Sequence, residues 1–514
     1  MNNSTLMKKI ILTIVPWLIF AALACAGNAS DAHRETLVRS IVDVVRPLGV
    51  GLDDQGELTS GNKQGLPKAK PEAVTNYKSL VVTAQWSEQR PGPNGALKTV
   101  PVTAEIWTRA IQACLDKHAL VRIPHRDKPY YIDGPLVMKT GSHLTVDPGT
   151  EIRLKPGTST CMVRNQNVVD GEHGPVELGK GADSDITIES GIWTTLATTA
   201  NESNGNARGS GFSPWKPLGS HGTIMISNAR RVVVRNLTIK QCRPHGIQIG
   251  NCSEFLVENI IFDQHRRDGV HMGGPLKNGV VHNIRGATGD DMIALNAWDW
   301  KQSNTTFGPI ERILVDNVTA EQPSAVRLLA GTKNFGPGKS VDCDISNCVV
   351  RNIRGMHEIK IYDQPNLELG RNNDFADPIG KLANLFFSDI HVDHPAPPLF
   401  QIASNVDGID ISHVKLNFAP TDIKKPPFRL VEVGPMSMTY KFDPNNPASW
   451  VEVFSPDTDC TVRNLTVSDV RFALKQSQKL SPKDLIRVRN QKLNSDYPKT
   501  TPRGGTGHGI LINE

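Results

Sequence analysis

Three aspartates offer the plainest chemistry in this sequence. Asp268 stands before Gly-Val-His-Met (269–272), and Asp290 with Asp291 stands before Met-Ile-Ala-Leu (292–295), a step of 23 residues. A lone Asp-Asp pair is most often a solvated turn. A third acid in phase with the pair changes that reading. Carboxylates within about 10 Å of one another cannot all ionise freely, so one is driven to hold a proton near neutrality. A protonated acid beside a carboxylate base is what cleavage of a glycosidic bond needs. His271, Arg327, Lys360, Arg266 and Arg267 fall near the acids in sequence or in phase with them, and are expected to bind substrate. Guanidinium forks suit carboxylate or sulfate, which predicts an acidic sugar; the alternative is that the cations balance the three acids. Trp298 and Trp300 follow the second segment and are read either as sugar-stacking rings or as packed loop residues, with Trp298 the named candidate. No metal and no cofactor is expected.

These residues need a scaffold that brings positions 23 apart side by side. Gly-Ile-Gln-Ile (246–249) precedes the two segments at the same step, and Ala-Val-Arg-Leu (325–328), Glu-Ile-Lys-Ile (358–361) and Phe-Gln-Ile (400–402) follow at longer ones. Alternation along a strand turns Ile247, Val270, Ile293, Val326 and Ile359 inward, and Gln248, His271, Ala294, Arg327, Lys360 and Gln401 outward. Three positions earlier lie His245, Asp268, Asp291, Ser324 and His357. The outward set predicts a groove holding the acids, His271, Arg327 and Lys360, with room over Ala294. A second column, Asn236, Asn259, Asn283, Asn317, Asn352 and Asn464, with Asp389 and His413 in the same place, suggests side-chain amides stacked along an axis. Two columns in phase specify a parallel β-helix whose coils stack about 4.8 Å apart.

The flanks carry helices. Leu37, Val38, Ile41, Val42 and Val45 stripe one face over 35–46, and Ile106, Ala110, Ile111 and Cys114 stripe a shorter helix. Residues 1–26 read as a signal peptide, with Lys8 and Lys9 before an apolar run, so export to periplasm or exterior is expected. Ala22-Leu23-Ala24-Cys25 resembles an imperfect lipobox, which leaves membrane anchoring by a lipid on Cys25 open. Residues 27–100 form a cap and loop region, 101–475 the catalytic β-helix, and 476–514 a C-terminal tail or cap. With 43 glycines and 35 prolines, turns outnumber long helices, and a formal charge of +5 is too small to imply nucleic acid. Cysteine spacing excludes a CxxC zinc site; Cys343 with Cys348 is a candidate bridge, and buried apolar roles suit the rest. A monomer acting on a polysaccharide or oligosaccharide is expected.

Over about 100–410 the sequence resembles the polygalacturonase group, glycoside hydrolase family 28. The likeness runs through AIQACLDKHALVRIP (110–124), YYIDGPLVMKTGSHLTVDPGTEIRL (130–154), Asp268-Gly269, Gly289-Asp290-Asp291 and Ile359-Lys360. It implies a single all-β, right-handed parallel β-helix with a small N-terminal helical cap and irregular C-terminal coils. It also implies inverting hydrolysis, with Asp290 as the general acid and Asp268 and Asp291 holding water across a gap of about 6.5–9.5 Å. Arg266-Arg267 replace that family's Asn-Thr, Ser324 and Arg327 occupy the coil of its Gly-His-Gly, Glu358 replaces an arginine, and Gly507-His508-Gly509 comes too late to stand in. Those departures spare the acids and alter sugar contacts. Three alternatives follow: an inverting galactosidase acting on neutral sugars, a Ca²⁺-using β-helical lyase or epimerase with Arg327 or Lys360 as base, and a non-catalytic carbohydrate-binding or adhesion solenoid.

Overall fold

Interior strand positions along this chain are filled by Ile, Val, Leu and Phe, and stacking them coil on coil builds one continuous core. In the computed structural model the column Ile224, Ile247, Val270, Ile293, Val326, Ile359, Phe400 and Val431 is joined by parallel pairing at every step and is fully buried. A second column runs Val234, Val257, Val281, Val315, Val350, Phe387, Ile411 and Val467. The all-β parallel β-helix is therefore present, with the register read from the sequence. The structure describes residues 30–513, apart from 61–68, 196–221, 300–303, 363–379, 394–398, 418–429, 434–436, 442–449, 455–460, 473–485, 492–502 and shorter gaps of one or two residues. The leader at 1–26, Cys25, Trp300, His357 and Cys460 lie outside the described residues.

The bends are fixed by backbone conformation. Asn236, Asn259, Asn283, Asn317 and Asn352 all lie at φ between 53° and 62°, and Asp389, His413 and Asp469 continue the column at 56°, 54° and 49°. Asparagine tolerates this left-handed region because its short amide bonds locally. The amides also bond to each other: Asn259 Nδ2 donates to Asn236 Oδ1 at 2.9 Å, and Asn283 Nδ2 to Asn259 Oδ1 at 2.6 Å. Asn464, expected in this column, belongs to another. Arg463 pairs with Asp407, so Asn464 follows Gly408 in a second left-handed column with Asn384, Asn347, Arg312, Asn278, Glu254 and Arg231.

The two helices do different work. Helix Thr108–Lys117 puts Ala110, Ile111, Cys114 and Leu115 into the main core, against the first coils, and caps it. The helix over 30–45 lies along the flank of the solenoid. Val233, Leu256, Val280, Leu314, Val349 and Phe386 alternate away from the interior and form an apolar stripe on the outside. Leu37, Val38, Ile41, Val42 and Val45 cover that stripe as a second core. Arg312 Nη2 donates to the Ser40 carbonyl at 2.9 Å, and Arg34 Nη1 to Ser412 Oγ at 3.1 Å, so the helix is pinned along its length. Cys343 and Cys348 are free and buried, so the candidate bridge is not made; both serve as small apolar side chains.

Candidate functional site

Register brings the predicted groove residues together. Gln248, His271, Ala294, Arg327, Lys360 and Gln401 are consecutive partners across neighbouring strands. Gln248, His271 and Ala294 are nevertheless buried rather than open to solvent. The reason is the segment after Ile293–Asn296, which folds back across the strands. It comes close because Gly250 and Gly273 carry no side chain: a Cβ at Gly250 would lie 2.5 Å from Thr305 Oγ1, and one at Gly273 would lie 3.1 Å from Asn304 Cγ.

Asp268, Asp290 and Asp291 converge, with an oxygen of each lying within 4.8 Å of the others. The gap of about 6.5–9.5 Å expected for inversion is thus not present between their nearest oxygens. Asp268 and Asp291 are buried and Asp290 is only partly so. Lys360 Nζ donates to Asp291 Oδ1 at 3.2 Å, and Arg327 Nε lies 3.2 Å from Asp291 Oδ2. Asp268 Oδ2 is 2.6 Å from His271 Nδ1, while its Oδ1 accepts no hydrogen bond among the described residues. His265, buried behind them, lies with Nε2 2.8 Å from the Asp268 carbonyl and fixes that backbone. Its imidazole is pushed down to about 4 by burial, so it is a neutral donor.

Environment drives the carboxyls apart. Burial, then the charges of Asp268 and Asp291, push Asp290 up to about 7, against partial relief from Arg327 and Lys360. For Asp268 burial acts in the raising direction, but the His271 hydrogen bond and the charges of His245 and Arg327 outweigh it and hold the carboxyl well below the usual range. One acid therefore keeps its proton until pH approaches neutrality while its neighbour is ionised.

Other predicted residues fall differently. Arg327 donates from Nε to Asn296 Oδ1 at 3.1 Å and from Nη2 to Asp299 Oδ2 at 3.4 Å, and Lys360 also lies 3.3 Å from Glu358. Both cations are thus committed to carboxylates of the chain itself. Arg266 and Arg267 are half-buried on the approach to Asp268. Trp298 is a core residue, 3 % exposed, with its ring over Gly331, where a Cβ would lie 2.9 Å from the indole Cγ. It is not presented to a sugar. Sequence reasoning missed Asn296, Asp299 and Asn304, which complete a buried network: Asn304 Oδ1 meets His271 Nε2 at 2.7 Å and Asn296 Nδ2 donates to Asp299 Oδ2 at 2.5 Å. The three aspartate oxygens, or His245, Asp268 and His271, are close enough to share a cation. Neither set suits one well. Asp291 already faces two cations, and the His245 and His271 rings lie nearly parallel, 3.8 Å apart and inclined by 15°, with their ring nitrogens in parallel planes rather than converging.

No protein-family model matches the chain, and no curated protein matches it. Among solved structures it is similar to the Streptococcus pneumoniae surface adhesin PfbA, at 12% identity and TM-score 0.41 over 87% of this chain and 100% of that one. It is also similar to the family 28 exopolygalacturonase of Yersinia enterocolitica, at 13% identity and TM-score 0.35 over 84% of this chain and 83% of that one. A third is the A-module of the Azotobacter vinelandii mannuronan C-5 epimerase AlgE4, at 12% identity and TM-score 0.30 over 79% of this chain and 91% of that one. An adhesin, a hydrolase and an epimerase share the likeness, so it does not separate the activities.

Proposed function

We propose that this chain is an exported glycosidase that cleaves a polysaccharide or oligosaccharide by acid–base catalysis, with Asp290 as general acid. The reading is carried by the contrast between Asp290, which holds its proton to about pH 7, and Asp268, with an oxygen within 4.8 Å of it, which is held ionised. Asp290 is also the member of the trio with a face in solvent, where a glycosidic oxygen arrives. Asp268 takes the role of base: its Oδ1 is buried and accepts no hydrogen bond among the described residues, which supports reading it as the acceptor for the proton of an attacking water. Asp291, clamped by Lys360 and Arg327, supplies negative charge to a developing oxocarbenium ion. Inversion requires the Asp290 and Asp268 oxygens, within 4.8 Å of one another here, to part to about 6.5–9.5 Å when a sugar and a water enter. Preference for a uronate rests on Arg266 and Arg267, which keep some exposure, and not on Arg327 or Lys360, which the chain's own acids hold.

The test is reducing-end release from polygalacturonate and from neutral galactans at two salt concentrations, with the first-formed anomer followed by proton NMR. Saturated products of inverted configuration, released faster from the charged polymer at low salt, are expected. Unsaturated, ultraviolet-absorbing ends would replace the reading with a lyase, and binding without turnover would replace it with an adhesion module.

A further inference from the structure

Asn304 decides where the hydrogen on His271 sits. Its Nδ2 donates to the Asn296 carbonyl at 2.7 Å, and a carbonyl only accepts, so the amide end that faces His271 is the oxygen. His271 Nε2, 2.7 Å from that oxygen, therefore carries a hydrogen. The opposite nitrogen, Nδ1, faces Asp268 Oδ2 at 2.6 Å, which requires one proton between them, on the ring or on the carboxyl. Five charged or chargeable neighbours bear on that choice. Asp290 and Asp291, each with an oxygen within 4.8 Å of an Asp268 oxygen, oppose a charge on that carboxyl. Arg327 Nη2 at 3.9 Å and His245 Nε2 at 4.0 Å from the same Oδ2 favour the carboxylate, and Asp299 Oδ2 at 3.7 Å from Nε2 favours a charged ring. The His245 ring lies flat against His271, so the imidazole cannot turn over to exchange its nitrogens.

We propose that His271 is a positioning residue: an imidazolium locked by Asn304, it holds Asp268 as a carboxylate and leaves Asp290 as the acid that carries the transferable proton. The catalytic consequence rests on the glycosidase reading; the placement of the proton does not. Asp268, Asp290, Asp291 and Asp299 face Arg327 and Lys360, and the imidazolium adds positive charge to a cluster in which acids outnumber those two cations. With the proton on Asp268 instead, an attacking water would meet an acid where it needs an acceptor.

Nitrogen-15 NMR of the full chain, labelled only in histidine, reads the proton directly. At pH 7.5 both His271 ring nitrogens should give protonated-type shifts, with a low-field, exchange-protected hydrogen on Nδ1; the signals are assigned by their loss in His271→Asn. Asn304→Leu should strip exchange protection from the Nε2 hydrogen while the chain stays folded by dichroism. An unprotonated Nδ1 in the unmodified protein overturns the proposal, and needs no variant to fold. In kinetics, His271→Asn keeps a donor beside Asp268 but removes the charge, so kcat/KM at pH 5 relative to pH 7 should fall about tenfold, with KM nearly unchanged. A profile parallel to that of the unmodified enzyme overturns the catalytic half. Both hydrogens present in a chain that cleaves no glycan upholds the proton placement and overturns the glycosidase reading.

Discussion

Replacing Asp290 by Asn should make the protein both inactive and more stable. Asparagine keeps the shape and the Oδ1 that accepts the Asp291 N–H at 3.0 Å, but has no proton to give. Turnover should drop at least about a hundredfold with binding nearly intact, and substrates with good leaving groups should suffer least. The stability change follows from the same carboxyl. Its value rises from 3.8 to about 7 on folding, so between those pH values the native state binds a proton that the unfolded chain has lost, and stability declines as pH rises. Taken in full that shift costs roughly 4 kcal/mol above neutrality. Asp290 keeps a face in water and shares its repulsion with two other acids, so about 1–2 kcal/mol is the realistic gain on removing it. Denaturant unfolding at pH 8 should show the Asn variant more stable by that amount, and the difference should vanish below about pH 3, where the carboxyl is protonated in both states. A variant that keeps near-normal turnover on a natural glycan, or that is less stable at pH 8, would refute the assignment.

Three further outcomes are expected. Lys360→Met removes the ion pair to Asp291 at 3.2 Å and one of the two cations that restrain Asp290, so the alkaline limb of the pH–rate profile should move to higher pH; an unmoved limb counts against Lys360 acting on the acid. Trp298→Ala should cost about 3–5 kcal/mol in chemical unfolding, as for a buried Trp, and leave KM unchanged; weaker substrate binding at normal stability would return Trp298 to the sugar. At Asn259, with φ 55° and ladder bonds on both sides, Ala should destabilise by about 1 kcal/mol more than Gly because only Gly enters the left-handed region freely; the reverse order would mean that backbone conformation is not what the column selects.

What the sequence displayed, and what it concealed, divides along physical lines. The inward column is legible because Ile247, Val270 and Ile293 recur with the period of the coil, and that register alone brings the aspartates together. The left-handed column is legible from Asn236 to Asn352, and its amide ladder from Asn236 to Asn317, because one residue type solves two problems, a left-handed bend and a pair of polar groups to satisfy. The second left-handed column was invisible. Arg231, Glu254, Asn278 and Arg312 share a backbone angle and nothing chemical. Asn464 was misplaced for the related reason that pairing of Leu465 with Ile409 sets the register, and asparagine suits either bend. The roof of the site was hidden too, because Asp299 and Asn304 reach Arg327 and His271 only through a fold-back of the chain that no periodicity announces. Gly250 and Gly273, stacked on the same face, were the available trace of that close approach.

The flank helix changes what kind of object the solenoid is. A stack of coils in which each touches only its neighbours behaves as a one-dimensional chain, and can fray from either end without the middle registering the loss. The 30–45 segment touches coils from Val233 to Phe386 at once, and so acts as a splint that makes distant coils melt together. It also sets an order of assembly. The helix leaves the ribosome before any of the strands it covers, and its apolar face has no complete partner until Phe386 has been made and coiled. The first of the described segments to be made is thus the last to dock, and the splint can close only over a solenoid that is already in register.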